Sequence, residues 1–249
     1  MLIGEPARTQ YDLNFVLFGI PVRIHPLFWL VALIFGANGR DGIGILTWVA
    51  AVFLSILLHE LGHAWMMRLH GFRPWIVLYG MGGLTSYDPR QGFGVKRSDT
   101  LANVLISAAG PGIGFLLAAF LVAMFFATGH GDQLHFARPW LSFMCEMWPA
   151  DTRFADLLND IFFICVLWGL VNLLPIYPLD GGQIARELFV RFSPRDGIRQ
   201  SMMLSIFAAI AMAAYGYVRM DSLYVALLFG YLAYASFIAL QNYSGGSRW

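Results

Sequence analysis

A long apolar stretch, residues 43–69, carries three ionisable side chains in its second half. A helix of this length crosses a hydrocarbon layer of about 30 Å, because each residue adds about 1.5 Å. Within it, the segment ILLHELGHAW contains His59, Glu60 and His63. Ionisable groups are costly at membrane depth, so this triplet marks a candidate functional site.

The composition places the chain among integral membrane proteins. Of its 249 residues, 58% are hydrophobic and 12% are charged, whereas soluble domains carry about 25% charged residues. A net charge of +1 argues against a nucleic-acid partner. The two cysteines, Cys145 and Cys165, fall in a predicted loop and in an apolar stretch. We therefore expect neither a disulfide between them nor a thiolate metal cluster.

Apolar runs and helix breakers predict about six membrane spans. Their approximate limits are 20–37, 43–69, 101–127, 161–178, 202–218 and 223–240. Pro21, Arg23 and Pro26 interrupt the first of them. The sequence thus predicts an all-α polytopic membrane protein that forms a single domain over residues 1–249.

The stretch after the second span has a different residue pattern from the spans. Trp75 to Tyr79 is rich in strand-forming residues, Gly80–Gly83 interrupts it, and Leu84 to Tyr87 resumes it. This pattern predicts a glycine-turned β-hairpin, with an irregular loop as the alternative. Gly82 and Gly83 would supply the turn geometry with positive φ.

The spacing of the ionisable triplet predicts a zinc site. His59 and His63 are four residues apart, so both imidazoles can reach one ion from one helix face. Glu60 is then placed to take a proton from a zinc-bound water, and two histidines leave room for a third protein ligand. The alternative is a helix with two satisfied core histidines.

Three residues are candidates for the third ligand. His70 follows His63 by seven residues, roughly 10 Å of helix rise, so it could reach the ion only if the helix broke. His25 has no spacing argument in its favour. Asp180 follows a stretch broken by Pro175 and Pro178 and precedes two glycines. Its alternative role is to cap the next helix.

The distribution of basic residues predicts the orientation. With a cytosolic N-terminus, 12 basic residues fall on the cytosolic side and 4 on the other. His63 then lies roughly 9 Å from the cytosolic end of the second span. Asp180 lies at the cytosolic end of the fourth, so the acid and the histidines are expected on the same side of the membrane.

Two motifs in this order resemble the site-2 protease family of intramembrane zinc metalloproteases. One is the pentad His59-Glu-Leu-Gly-His63, and the other is Asn172-x-x-Pro-x-x-Pro-Leu-Asp-Gly-Gly182 on a later span. The early segment Gly19-Ile-Pro-Val-Arg-Ile-His-Pro26 resembles the branch that includes the sporulation factor processing proteases. The resemblance covers spans two to four and, more loosely, span one, which makes residues 43–182 the expected catalytic core.

The resemblance implies a ligand set and a general base. It implies one zinc per chain, bound by His59, His63 and Asp180, with Glu60 as the base. It also implies that Asn172 holds the substrate carbonyl or its oxyanion.

The resemblance further implies how substrate is held. The hairpin around Gly80, Gly82 and Gly83 would be a re-entrant element that pairs with an unwound substrate segment. The substrate would be a transmembrane protein within the lipid bilayer, cut in or near its membrane segment, as in regulated intramembrane proteolysis. The expected location is a bacterial inner membrane; the oligomeric state is left open.

Two features depart from the family pattern. The family often has Asn three positions after Gly110-Pro111, where this chain has Gly114, so we assign that position no role. The Ala109-Gly-Pro-Gly112 segment itself predicts a kink or close helix packing. We expect no PDZ or nucleotide-sensing regulatory domain after Leu240.

Two other functions are weighed against the protease. A transmembrane metal-ion transporter can also carry such a pentad, but no second intramembrane motif rich in His or Asp is found. A pseudoprotease would bind membrane helices without cutting them. The intact Glu60 argues against that.

Overall fold

The structure, a computed structural model, describes residues 5–37, 40–88, 100–127 and 152–246. Within these ranges the chain is mostly helical, with one small sheet. In chain order the elements are β1 (Leu13–Leu17), β2 (Ile20–Ile24), α1 (Pro26–Gly36), α2 (Gly42–Leu69), β3 (Pro74–Tyr79), β4 (Gly82–Tyr87), α3 (Thr100–Ala127), α4 (Arg153–Asn172), α5 (Asp180–Phe192), α6 (Gly197–Val218) and α7 (Leu223–Gly246). Cys145 lies outside the described residues.

Five of the described helices, namely α2, α3, α4, α6 and α7, are long and apolar enough to cross a membrane. The helix α1 has 11 residues, or roughly 16 Å, which is shorter than a hydrocarbon layer of about 30 Å. The predicted first span, residues 20–37, is therefore wrong as one continuous helix.

Local chemistry explains why that span is divided. Ile20, Val22 and Ile24 alternate with other residues and are buried, which is the period of a strand. Pro26 then begins α1, where its missing N–H costs nothing. The His25 Nδ1 accepts a hydrogen bond from the Leu27 N–H at 3.2 Å and caps the helix.

The four strands form one sheet in the order β1-β2-β3-β4, so the expectation of an all-α fold is corrected to mostly helical. β1 with β2 and β3 with β4 are antiparallel, whereas β2 and β3 are parallel. One face of the sheet packs on α1 and α2. The buried residues that share this core are Ile20, Val22, Ile24, Phe28, Ile56, Leu57, Leu61, Ala64, Ile76 and Leu78.

A buried arginine fixes the N-terminal segment on the sheet. Arg23 is 6% exposed and pairs with Asp12 and Glu5, each at 2.8 Å. It also donates to the Pro6 carbonyl at 2.9 Å. Because the neighbouring Val22 faces the helices, Arg23 points to the opposite face of the sheet.

The fourth predicted span, residues 161–178, is shifted in the structure. Its helix, α4, begins earlier, at Arg153, and ends at Asn172. Pro175 and Pro178 remove backbone donors and prevent the helix from continuing. The chain becomes helical again only at Asp180.

The described residues divide into two compact units. One contains residues 100–108 and 170–246 and has a core formed by Ile176, Ala209, Phe229, Leu232 and Ala233. The other contains the described parts of residues 5–88 together with 109–127 and 152–169. Besides the sheet core, it has a second core where α2, α3 and α4 pack, which includes Ala51, Ala118, Leu121, Phe125 and Ile164.

Candidate metal centre

The two histidines of the pentad face each other inside the protein. His59 is 5% and His63 is 7% exposed, and their Nε2 atoms are 3.1 Å apart. Tetrahedral coordination with Zn–N bonds of about 2.05 Å puts two ligand nitrogens roughly 3.3 Å apart. The observed separation therefore fits one shared ion, although it also suits a hydrogen bond between the rings.

The helix α3 approaches these imidazoles through a glycine. A Cβ atom on Gly110 would collide with the Nε2 atoms of both His59 and His63. At the residue before His63, a Cβ atom on Gly62 would lie 2.5 Å from the Ala109 carbonyl oxygen. The close packing expected for the Gly-Pro segment thus occurs directly beside the Nε2 atoms of the histidine pair, a location that the sequence interpretation missed.

Asp180 is the first residue of α5 and is partly buried. The N-cap position belongs to Leu179, and no side chain caps this helix. The alternative role of Asp180 as an N-cap is therefore wrong. His59 and His63 lie in one compact unit and Asp180 lies in the other; its carboxylate is the acid that the resemblance implies as the third ligand.

The other two candidates for the third ligand serve as helix caps. His25 caps α1 through Nδ1, as described above. His70 is the C-cap of α2, and its Nδ1 lies 2.8 Å from the Met66 carbonyl oxygen. Each ring thus uses its Nδ1 atom for a neighbouring backbone group.

Glu60 is 4% exposed and lies against the β3–β4 hairpin. The Thr85 Oγ1 donates to the Glu60 Oε2 at 2.7 Å and lies 3.1 Å from the Glu60 main-chain oxygen. A Cβ atom on Gly83 would collide with the same carboxyl group. The sequence interpretation did not identify Thr85, although Gly83 and Thr85 are two apart on a strand and so share one face.

The hairpin prediction is confirmed in outline, because β3 and β4 pair from Pro74↔Tyr87 to Tyr79↔Gly82. Gly82 has a φ of +115°, as expected. The expectation of positive φ is wrong for Gly83, which is required for space at Glu60 instead. Gly80 lies in the turn, where a Cβ atom would meet the Leu27 side chain at 3.4 Å.

Asn172, the residue expected to hold the substrate carbonyl, is the last residue of α4 and is 8% exposed. It therefore stands at the end of the helix, immediately before the chain turns towards Asp180.

The donor set suits a catalytic zinc. Two neutral imidazole nitrogens and one carboxylate oxygen are a ligand combination that catalytic zinc sites use, and they leave a coordination position for water. The Gly110 contact shows that the space beside the two nitrogens is shaped closely around them.

Two curated proteins that are similar to this chain both carry the name zinc metalloprotease. A zinc metalloprotease of Methanocaldococcus jannaschii is 25% identical over 179 residues, which is 70% of this chain and 44% of that protein. A candidate zinc metalloprotease of Synechocystis sp. is 25% identical over 188 residues, 69% of this chain and 42% of its own length. The chain thus spans less than half the length of these curated relatives.

A solved structure shares the fold. The site-2 protease from Methanocaldococcus jannaschii superposes with a TM-score of 0.59 at 21% identity, covering 92% of this chain and 95% of that one.

The sequence profile of peptidase family M50 matches residues 47–214, more than half of the chain. The match includes the pentad, the proline-broken segment and Asp180. The chain therefore belongs to peptidase family M50, and the membership of the site-2 protease family predicted from its motifs is confirmed.

Proposed function

We propose that this chain is a zinc-dependent intramembrane endopeptidase that hydrolyses peptide bonds in or near the transmembrane segments of membrane proteins. The observation that carries the proposal is the buried pair of imidazole nitrogens, 3.1 Å apart, beside Glu60 on a membrane-length helix. A protease of this kind needs both an ion site and a base at bilayer depth, and this helix carries both.

The proposed ligands are His59, His63 and Asp180, holding one zinc per chain. The resemblance implies this set, and the separation of 3.1 Å between the two histidine Nε2 atoms supports their part in it. When bound, zinc polarises the scissile carbonyl and lowers the pKa of a water to about 7.

Glu60 is the proposed general base. It takes the proton of the attacking water and then delivers it to the leaving amine. The hydrogen bond from Thr85 holds the carboxyl group in one rotamer. Gly83 leaves the space that this rotamer needs.

The outer edge of β4 is the proposed substrate-pairing surface. The His25 N–H donates to the Leu78 carbonyl at 2.8 Å, so Leu78 directs its main-chain groups towards β2. The residues on either side of Leu78 then direct their main-chain N–H and C=O groups towards β4, because these groups point to opposite edges of a strand at successive residues. Since Val77 pairs with Leu84, the main-chain N–H and C=O groups of Leu84 point towards β3.

The same alternation leaves the main-chain groups of Gly83, Thr85 and Tyr87 facing outward. Within the described residues β4 is the last strand of the sheet. A substrate helix hides its carbonyls in hydrogen bonds and has to become extended before attack. Addition of that segment to β4 would replace the lost bonds beside Glu60, and Asn172 would hold the carbonyl oxygen.

The proposal includes a location. The five membrane-length helices fit a multi-pass integral membrane protein. The bias of basic residues favours a cytosolic N-terminus and an active site that opens to the cytosol. A bacterial inner membrane is the proposed setting.

The transporter and the pseudoprotease are the competing proposals. A transporter needs a succession of sites along a path, whereas the sequence carries no second intramembrane motif rich in His or Asp. A pseudoprotease has no use for a buried carboxylate that a strand orients. Both observations favour the protease.

The test is cleavage of a panel of single-span substrates by the purified protein in lipid nanodiscs. We expect cleavage that a zinc chelator abolishes and added zinc restores. The Glu60→Gln variant should retain zinc and fold but lose cleavage, whereas His59→Ala should lose both zinc and cleavage. Substantial turnover by Glu60→Gln would remove the general-base assignment.

A further inference from the structure

Two buried serines hold the main chain of one residue in the break between α4 and α5. The Ser205 Oγ, on α6, accepts a hydrogen bond from the Tyr177 N–H at 3.1 Å. The Ser236 Oγ, on α7, donates to the Tyr177 carbonyl at 3.1 Å. Ser205 is 1% and Ser236 is 0% exposed. Both polar groups of the Tyr177 backbone are therefore satisfied by side chains from other helices.

This arrangement solves a local problem. Residues 173–179 are not helical, so their main-chain groups have no regular partners. An unsatisfied backbone group in apolar surroundings is destabilising, and irregular backbone is tolerated at membrane depth only where the protein supplies partners. The Ser205 hydroxyl donates to the Ser201 carbonyl on its own helix at 2.9 Å, which leaves its oxygen able to accept from Tyr177. The single proton of the Ser236 hydroxyl is shared between two carbonyl oxygens, that of Tyr177 at 3.1 Å and that of Leu232 at 2.9 Å.

The segment fixed in this way lies directly against the start of α5. A Cβ atom on Gly182 would lie 2.6 Å from the Tyr177 nitrogen. A Cβ atom on Gly181 would collide with the Leu173 carbonyl oxygen. The Leu179 N–H donates to the Ile176 carbonyl at 2.8 Å. A shift of Tyr177 cannot be absorbed by this close-packed turn and has to move the first residues of α5.

We propose that Ser205 and Ser236 are positioning residues for the Asp180 carboxylate. By holding the Tyr177 backbone from two helices, they set where α5 begins and hence where its first side chain stands. This inference rests on the proposed function, in which Asp180 is a zinc ligand. Residues that orient a metal ligand typically change metal affinity by about 10–100-fold when they are removed.

The chain offers a matched control. Ser201 is 0% exposed and lies on α6, one turn before Ser205. Its Oγ donates to the Ile198 carbonyl at 2.9 Å. Ser201→Ala thus removes an equally buried hydroxyl whose hydrogen bond stays within its own helix.

The experiment measures the zinc dissociation constant of the purified full chain by competition with a chromophoric chelator, without any substrate. Ser205→Ala and Ser236→Ala should each raise the constant by about 10–100-fold, whereas Ser201→Ala should leave it unchanged. The visible absorption bands of the cobalt-substituted protein report the ligand geometry, and they should shift only in the first two variants. Retained helical circular dichroism checks the fold, and Ser236→Ala carries the test if Ser205→Ala does not fold.

A double-mutant cycle separates positioning from general destabilisation. In an Asp180→Ala background, Ser236→Ala should cause no further loss of zinc affinity, because the group that it positions is absent. An equal loss in both backgrounds, or no loss in the native background, would overturn the inference alone. If Asp180→Ala itself leaves zinc affinity unchanged, the ligand assignment fails and the inference fails with it.

Discussion

The Oγ1 of Thr85 lies 2.7 Å from the Oε2 of Glu60, so a strand of the sheet holds the carboxyl group of the metal-site helix. The hairpin therefore contacts Glu60 in addition to its proposed pairing with substrate. A displacement of β4 would move the partner of the proposed general base.

Removing this contact should impair catalysis selectively. Thr85→Val deletes the hydroxyl and keeps the shape, so it should retain zinc and the fold. The loss of one hydrogen bond to a charged group predicts a roughly tenfold to hundredfold lower kcat. Turnover of a single-span substrate, with zinc content measured on the same sample, checks this. Thr85→Ser should recover much of the activity, and an unchanged kcat in Thr85→Val would show that Glu60 needs no such support.

Gly110, which lies against the Nε2 atoms of His59 and His63, should control metal affinity. A methyl group at position 110 collides with both imidazoles, so Gly110→Ala should weaken zinc binding. Gly112 lies in the same helix, and a methyl group there would meet no heavy atom within 4 Å. Gly112→Ala should therefore keep zinc and gain up to about 1 kcal/mol of helix stability. Equal zinc affinities for the two variants in a chelator titration would contradict the packing argument.

The outward edge of β4 should bind substrate through its main chain. Tyr87 is predicted to direct its N–H away from β3, so Tyr87→Pro should reduce cleavage more than Tyr87→Ala, which loses the same ring but keeps the donor. By contrast, Leu84 and Ser86 direct their N–H groups towards β3. Leu84→Pro and Ser86→Pro should then disrupt the hairpin itself and lower thermal stability. If Tyr87→Pro and Tyr87→Ala cut equally fast, substrate is held elsewhere.

The N-terminal segment should show a defined acid sensitivity. Hydrogen bonds from Thr9, followed by the interaction with Arg23, lower the pKa of Asp12 from 3.8 to about 2. Because the folded pKa is depressed, the stabilisation is complete above about pH 4 and is lost as the pH falls through about 2. The difference in thermal midpoint between the native chain and Asp12→Asn should therefore shrink from about pH 5 to about pH 2. A difference that is independent of pH would exclude the carboxylate as its source.

The local part of the site, the pair of histidines on one helix face, could be predicted from the sequence. The separation of four residues between His59 and His63 is enough to put both rings on one helix face, and the nitrogens do meet. The placement of Asp180 depended on a resemblance, because no spacing rule connects residues more than a hundred positions apart. The contacts of Thr85 and Gly110 were missed for the same reason, since packing between separate elements decides them.

The first predicted span failed for a different physical reason. Ile20 to Ile24 is apolar enough for a membrane helix, but its buried apolar residues recur with a period of two. An average of hydropathy over a long window does not detect this alternation, whereas a strand such as β2, paired with β3, accommodates it. Arg23, which interrupts the run, is neutralised by Glu5 and Asp12, and those partners lie outside the window altogether.

The parallel pairing of β2 with β3 fixes the order in which the sheet can form during synthesis. The strands are neighbours in the sheet, yet α1 and α2 separate them along the chain. At about 5–20 residues per second, β2 leaves the ribosome seconds before its partner exists. Glu60 can meet Thr85 only after β4 has been made, and Asp180 emerges later still. A chain that is still being made would therefore lack the proposed base contact and the proposed third ligand until its later segments have emerged.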